Sequence, residues 1–182
     1  MAKTKSKSLP TWKDVKAKIS TLDQDHLLTL IHDLYAANKD IQAFLHARLN
    51  LGDDALKPYK TTIDRWLWPD VLRNQDVSVA KARQAIAGYK KAVGEPAGLA
   101  ELMVFYCEQA AGFCDDVGYG DGSYFSALVR MFEQALSVIG ELPTGQRRAL
   151  IARLDCTRTI CHGFGYGVGD DMDSLLANFV AT

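Results

Sequence analysis

Apolar residues recur along this chain at helical spacing, three and four apart, rather than in the strict alternation of a half-buried strand. The densest stretch is LAELMVFYCEQAAGFCDDVG, Leu99 to Gly118. Leu99, Leu102, Met103, Tyr106, Ala110 and Phe113 form one stripe, and Val104, Phe105, Cys107, Ala111 and Cys114 cover much of the remaining circumference. Polar side chains are confined to a narrow strip, with Glu101, Glu108 and Asp115 seven apart and Gln109 and Asp116 beside them. A helix that is apolar nearly all round needs neighbours on most sides. The pattern therefore predicts a buried central helix over about 97–117, with the other helices wrapped around it.

Weaker stripes flank it. Thr11 and Asp14 fit a capping box ahead of Trp12, Val15 and Ile19. Thr21 and Gln24 fit a second, opening a helix on Leu27, Leu30, Ile31, Leu34 and Tyr35. Asn38 is placed to cap a short helix with Ile41, Phe44, Leu45 and Leu49, ended by Asn50 and Gly52. Pro58 suits the first turn of a helix that runs to about Trp68, where Pro69 stops it. Further helices are expected over 78–93, 123–140 and 146–162, with Asp170 or Asp171 capping a last one to about Val180. The expected fold is all-α: eight or nine helices in antiparallel pairs, one domain over 11–182, behind a disordered basic tail at 1–10.

One internal echo offers a variant of that architecture. Cys114-x-x-x-Gly-Tyr-Gly returns 47 residues later as Cys161-x-x-x-Gly-Tyr-Gly. A period of ~40–47 residues is that of two-helix HEAT-type repeats. The alternative is that Gly-Tyr-Gly is a good helix terminator used twice.

Composition changes this picture little. The 182 residues are 48% hydrophobic and 24% charged, with a net charge of -1, ordinary for a soluble globular chain. Charge is unevenly placed: residues 1–20 carry +5 and residues 99–142 carry -6. The N-terminal MAKTKSKS is basic, with no apolar region behind it, so it does not read as a secretory signal. No apolar run reaches the roughly 20 residues of a membrane span. Four Cys in no secreted-domain pattern read as reduced thiols, which points to the cytoplasm.

Candidate chemistry is sparse. No zinc spacing, calcium loop, phosphate-cradling loop or nucleophile elbow is present, so neither a metal, a cofactor nor a catalytic residue is assigned. Cys114 with Cys161 or His162 is the pairing that a fold could bring together. Two glycine turns carry Tyr119 with Asp121 and Tyr166 with Asp170, close to His162; such turns present side chains to ligands. The plainer account of the acids is helix capping. Trp66 and Trp68 are two apart and cannot share one helix face, so one of them is available to a partner. Nucleic acid is a weaker alternative, resting on the Lys-rich arm and on Arg73, Lys81, Arg83, Lys90 and Lys91.

The segment YKKAVGEPAGLAELMVFYCE, Tyr89 to Glu108, together with GFGYGVGDD, Gly163 to Asp171, resembles a small bacterial domain family of no assigned function. The resemblance spans most of residues 10–180. It implies an all-helical domain and supplies no activity, substrate or site. The reading at this level is a protein-interaction or scaffold module whose partner is another protein or a second copy. The alternatives are a small-ligand binder or enzyme at the glycine–tyrosine turns and His162, and a nucleic-acid binder.

Overall fold

The computed structural model describes residues 9–49, 51–52 and 54–180. Most of the basic tail, residues 1–8, lies outside the described residues, as does Asn50. Among the described residues the fold is all-α, with no strand. In chain order the helices are α1 (Trp12–Ile19), α2 (Gln24–Ala37), α3 (Lys39–Arg48), α4 (Lys57–Leu67), α5 (Val79–Ala92), α6 (Pro96–Val117), α7 (Gly122–Gly140), α8 (Thr144–Cys161) and α9 (Val168–Val180). A single 3-10 turn, Val71–Arg73, interrupts the connection from α4 to α5. No helix among the described residues is long and apolar enough to cross a membrane.

The chain divides into two compact units, residues 1–42 and 43–182. The first contains α1 and α2. The Asp14 carboxylate accepts from the Thr11 backbone N–H and hydroxyl, both at 2.8 Å, and fixes the start of α1. The second cap differs from the sequence reading. Asp23, not Thr21, caps α2 by accepting from the His26 N–H at 2.9 Å, while the Thr21 hydroxyl donates back to the Lys18 carbonyl. Asp23 lies one residue before the helix and reaches an amide three positions on, which Thr21 cannot do. Neither α1 nor α2 contains a buried residue. Trp12 is 71% exposed, and Leu28, Ile31 and Leu34 also face water.

In the second unit α6 is the centre. Twelve of its 22 residues are buried, and it packs against α4, α5, α7 and α8; α9 lies on α7 and α8. Glu95 caps α6 through the amides of Ala97 and Gly98, and Gly118 closes it in the left-handed conformation at φ +67°. Tyr106, Phe113, Leu102 and Val104 of α6 are fully enclosed with Ile63, Leu67, Leu128, Phe132, Ile139, Leu154 and Met172 from its neighbours. Each such side chain contributes on the order of 1.5–3 kcal/mol by leaving water.

Glu101 and Glu108 of the polar strip of α6 are half-buried. Arg153 of α8 grips Glu108 with two nitrogens at 2.7 Å and reaches Glu101 with a third. Lys60 of α4 meets the other oxygen of Glu101 at 2.6 Å. Glu101 and Glu108 are thus a seam tying three helices together, while Asp115, the next acid of the strip, is exposed. Burial would raise the Glu101 carboxyl, but hydrogen bonds from Arg153 and Lys60 and their charges outweigh it and hold the group below its ordinary 4.5.

Helix approach elsewhere is set by glycine. A Cβ on Gly112 would meet Trp68 Cζ3 at 2.4 Å, and one on Gly98 would meet the Tyr89 hydroxyl at 2.1 Å. At the far end α9 begins at Val168, so Asp170 and Asp171 stand in its first turn instead of capping it. The two Gly-Tyr-Gly turns also close differently: Gly118 is left-handed in the first, Tyr166 and Gly167 in the second.

Two outcomes follow from these contacts. Gly112→Ala is expected to cost about 1–3 kcal/mol, because the Trp68 ring must move, whereas Gly145→Ala in α8, with nothing within 4 Å of its Cβ, is neutral or slightly stabilising. Equal thermal midpoints for the two variants would remove the packing argument. Glu101 has a folded-state pKa below its unfolded one, so its contribution is full above the unfolded value and is lost as pH falls through the folded value. Urea midpoints should therefore drop as pH falls below about 4.5, and Arg153→Met should lower the neutral-pH midpoint and flatten that drop.

Candidate functional site

The sequence offered two places for a site, the tryptophans and the glycine turns with His162. The structure distributes these residues differently, and a cleft is the result. Helix α4 ends at Leu67, whose carbonyl accepts from the buried Tyr124 hydroxyl at 3.0 Å. The chain turns at Pro69, and Asp70 caps the 3-10 turn through the Leu72 amide at 3.1 Å. Asn74 turns left-handed at φ 51°, a conformation Asn tolerates. The Ser78 amide then donates to the Trp66 carbonyl at 2.9 Å, pinning the start of α5 beside the end of α4.

This fold-back opens a cleft of about 670 Å³. Its walls are Arg65 and Trp66 from α4, Val71 and Gln75 to Ser78 from the connection, Lys81 from α5, Phe113 from α6, and Tyr119. Two cations lie on one indole: Lys81 Nζ is 3.6 Å from the Trp66 ring centre and Arg65 Cζ is 4.5 Å from it. Arg65 Nη1 is shielded from solvent and meets no acceptor among the described residues. Tyr119 is held by aromatic contacts, 5.2 Å from both Phe113 and Tyr124 between ring centres. Burial, then the nearby Asp121 and Cys114, push its phenol above the ordinary value, so it remains a hydrogen-bond donor. Leu72, next in sequence to the lining residue Val71, is 93% exposed.

Trp68 turns the other way, onto the Gly112 face of α6, and remains partly exposed. The pair thus divides, with Trp66 in the cleft wall and Trp68 outside it. Arg65 carried no sequence signal of its own. Lys81 was visible only as one of several basic residues, and its link to Trp66 exists because the intervening connection folds back.

His162, Tyr166 and Asp170 do not line this cleft. Tyr166 is 79% exposed and rests against Phe125. The His162 ring packs over Gly169, where a Cβ would lie 2.5 Å from Nδ1. Its Nε2 is 3.2 Å from Asp173 and 3.3 Å from Arg158 Nη1, and Arg158 also holds Asp155 and Asp173. Potential ligand atoms of His162, Asp170 and Asp173 lie within 4.8 Å of one another, the span of a metal shell. A dication there would face the Arg158 guanidinium, which already occupies Asp173. Asp121 is the N-cap of α7, accepting from the Tyr124 amide at 2.8 Å and from the Ser123 hydroxyl.

The thiols are not assembled for chemistry. Cys107, Cys114 and Cys161 are buried and free, whereas Cys156 is exposed. Burial raises Cys161 to about 12, and the proximity of Cys114 adds to it. Burial alone takes Cys114 to about 12 as well. Both stay protonated and unreactive at neutral pH.

Comparison with known protein families, with curated proteins and with solved structures finds no match.

The hydrogen bond from Arg158, opposed by slight desolvation and joined by His162, holds the Asp173 carboxyl below its ordinary 3.8. Carbon-detected NMR titration should place Asp173 below that value, and Arg158→Gln should move it upward. An unchanged titration in the variant would show that the guanidinium is not seated there.

Proposed function

We propose that this chain is a binding module that receives a segment of another protein at the cleft walled by Trp66 and Tyr119. The observation that carries this reading is the cleft itself: a tryptophan, an arginine and a tyrosine converge on one concavity beside an exposed leucine. Those three residue types dominate the energetics of protein interfaces, and they do so from pockets that shed water. Val71 supplies apolar surface to the cleft, and the exposed Leu72 follows it in the chain. The cleft is built by a hydrogen-bonded connection between two core helices, so it is preformed, which lowers the entropy lost on binding.

Enzymatic readings have less behind them. The cleft wall has no paired nucleophile and base. The titratable cluster at His162 is locked into Arg158 and Asp173 outside it. Nucleic acid would need a continuous positive face. Within the basic set, Arg73 is paired with Asp70 at 3.2 Å and Lys81 sits over an indole. Exposed Trp12, Leu28, Ile31 and Leu34 in the first unit favour a role in association as well. A cytoplasmic setting, with reduced thiols, belongs to the same proposal.

A photo-crosslinking amino acid placed at Leu72, in cells that make the protein, tests this directly. The expected result is a discrete adduct with a second protein, lost in a Trp66→Leu background whose thermal midpoint is unchanged. No adduct, or one indifferent to Trp66, overturns the reading.

A further inference from the structure

The cleft also has a charge signature that its shape alone does not require. Arg65 and Lys81 both lie on the Trp66 ring, which puts their charged centres no more than about 8 Å apart. Neither has a carboxylate within 4 Å among the described residues, unlike Lys60, Arg73, Arg153 and Arg158; what sets them apart from the other Lys and Arg side chains without a carboxylate is that the two share one ring. One carboxylate, Asp76, lines the same cleft without pairing to either of them. Two like charges held that close, inside a Debye length and against a low-dielectric aromatic wall, repel each other unless an anion lies between them. Arg65 Nη1, with no acceptor, adds a buried donor whose hydrogen bond is unmade.

From this juxtaposition we propose that the cleft binds an oxyanion, a carboxylate or phosphate group, bridged by Arg65 and Lys81 over Trp66. The span between the two cations suits a single such group, with a guanidinium nitrogen on one oxygen and the ammonium on another. The Tyr119 side chain lines the same wall and its hydroxyl has no hydrogen-bond partner among the described residues, so it offers a neutral donor to a third oxygen. Ser78, the N-cap of α5, lines the same cleft. The indole keeps both cations in place before the ligand arrives, which spares the loss of side-chain freedom that long basic residues otherwise suffer on binding. This inference rests on the cleft being a binding site, as proposed above, and adds the chemistry of what enters it.

The oxyanion has two sources: a free small anion, or an acidic side chain of the partner. Protein labelled with 5-fluorotryptophan gives three fluorine signals, from Trp12, Trp66 and Trp68, assigned by single Trp→Phe variants. Three probes are titrated at neutral pH: inorganic pyrophosphate, a blocked tetraglutamate peptide, and a panel of neutral aromatic fragments. The expected result is a saturable shift of the Trp66 signal with at least one oxyanion probe, weakened several-fold as NaCl rises from about 50 to about 200 mM. Lys81→Gln and Arg65→Gln should each weaken it roughly tenfold, the loss expected for one charged hydrogen bond. Tighter binding of tetraglutamate identifies the partner's side chain as the source, and binding of pyrophosphate alone identifies a free anion. A Trp66 shift that survives both Gln variants overturns the inference. If neutral fragments move Trp66 and neither oxyanion does, the cleft is a site but not for anions. If no probe moves Trp66, the cleft reading falls with it.

Discussion

A helix that is apolar on nearly every side cannot stand in water, and α6 is such a helix. Its enclosure by α4, α5, α7 and α8 is the condition the rest of the second unit satisfies. Enclosure leaves one difficulty, the carboxylates of Glu101 and Glu108 along the polar strip. Burying them without partners would cost several kcal/mol each. Arg153 and Lys60 resolve this from two different helices, so the upper part of the polar strip of α6 is a half-buried charged seam. Such a seam also fixes register, because Arg153 fits between two acids only where they stand two turns apart.

Close approach of the helices depends on missing side chains. Gly98 accepts the Tyr89 ring edge, Gly112 accepts Trp68, and Gly169 accepts His162. In each case an aromatic side chain from outside the helix approaches bare backbone more closely than a Cβ would allow. The arrangement at Gly112 bears on the cleft: Trp68 is drawn onto α6, and Trp66, on a different face of the same turn, is left beside Lys81. Packing and recognition are thus settled by one short stretch at the end of α4.

The legible part of this protein was the part governed by local periodicity. The stripe from Leu99 to Phe113, the proline at the start of α4 and the stop at Pro69 all state their structure in sequence-local terms. Caps were less legible where two acceptors compete, as with Thr21 and Asp23, because only the backbone decides which oxygen reaches an amide. The cleft was not legible. Trp66 was visible, but Arg65 and Lys81 gain meaning from a fold-back that sequence spacing does not encode. The repeated Gly-Tyr-Gly is the converse case. Identical letters led to one tyrosine packed among aromatics and another out in solvent, because left-handed backbone falls at different positions in the two turns.

The placement of sulfur has a practical corollary. Three of four thiols are enclosed in the core and one, Cys156, is on the outside of α8. Among the thiols, oxidation of the native molecule therefore starts at Cys156, outside the core. Any reagent found on the other three records a moment when α6 and α8 had come apart.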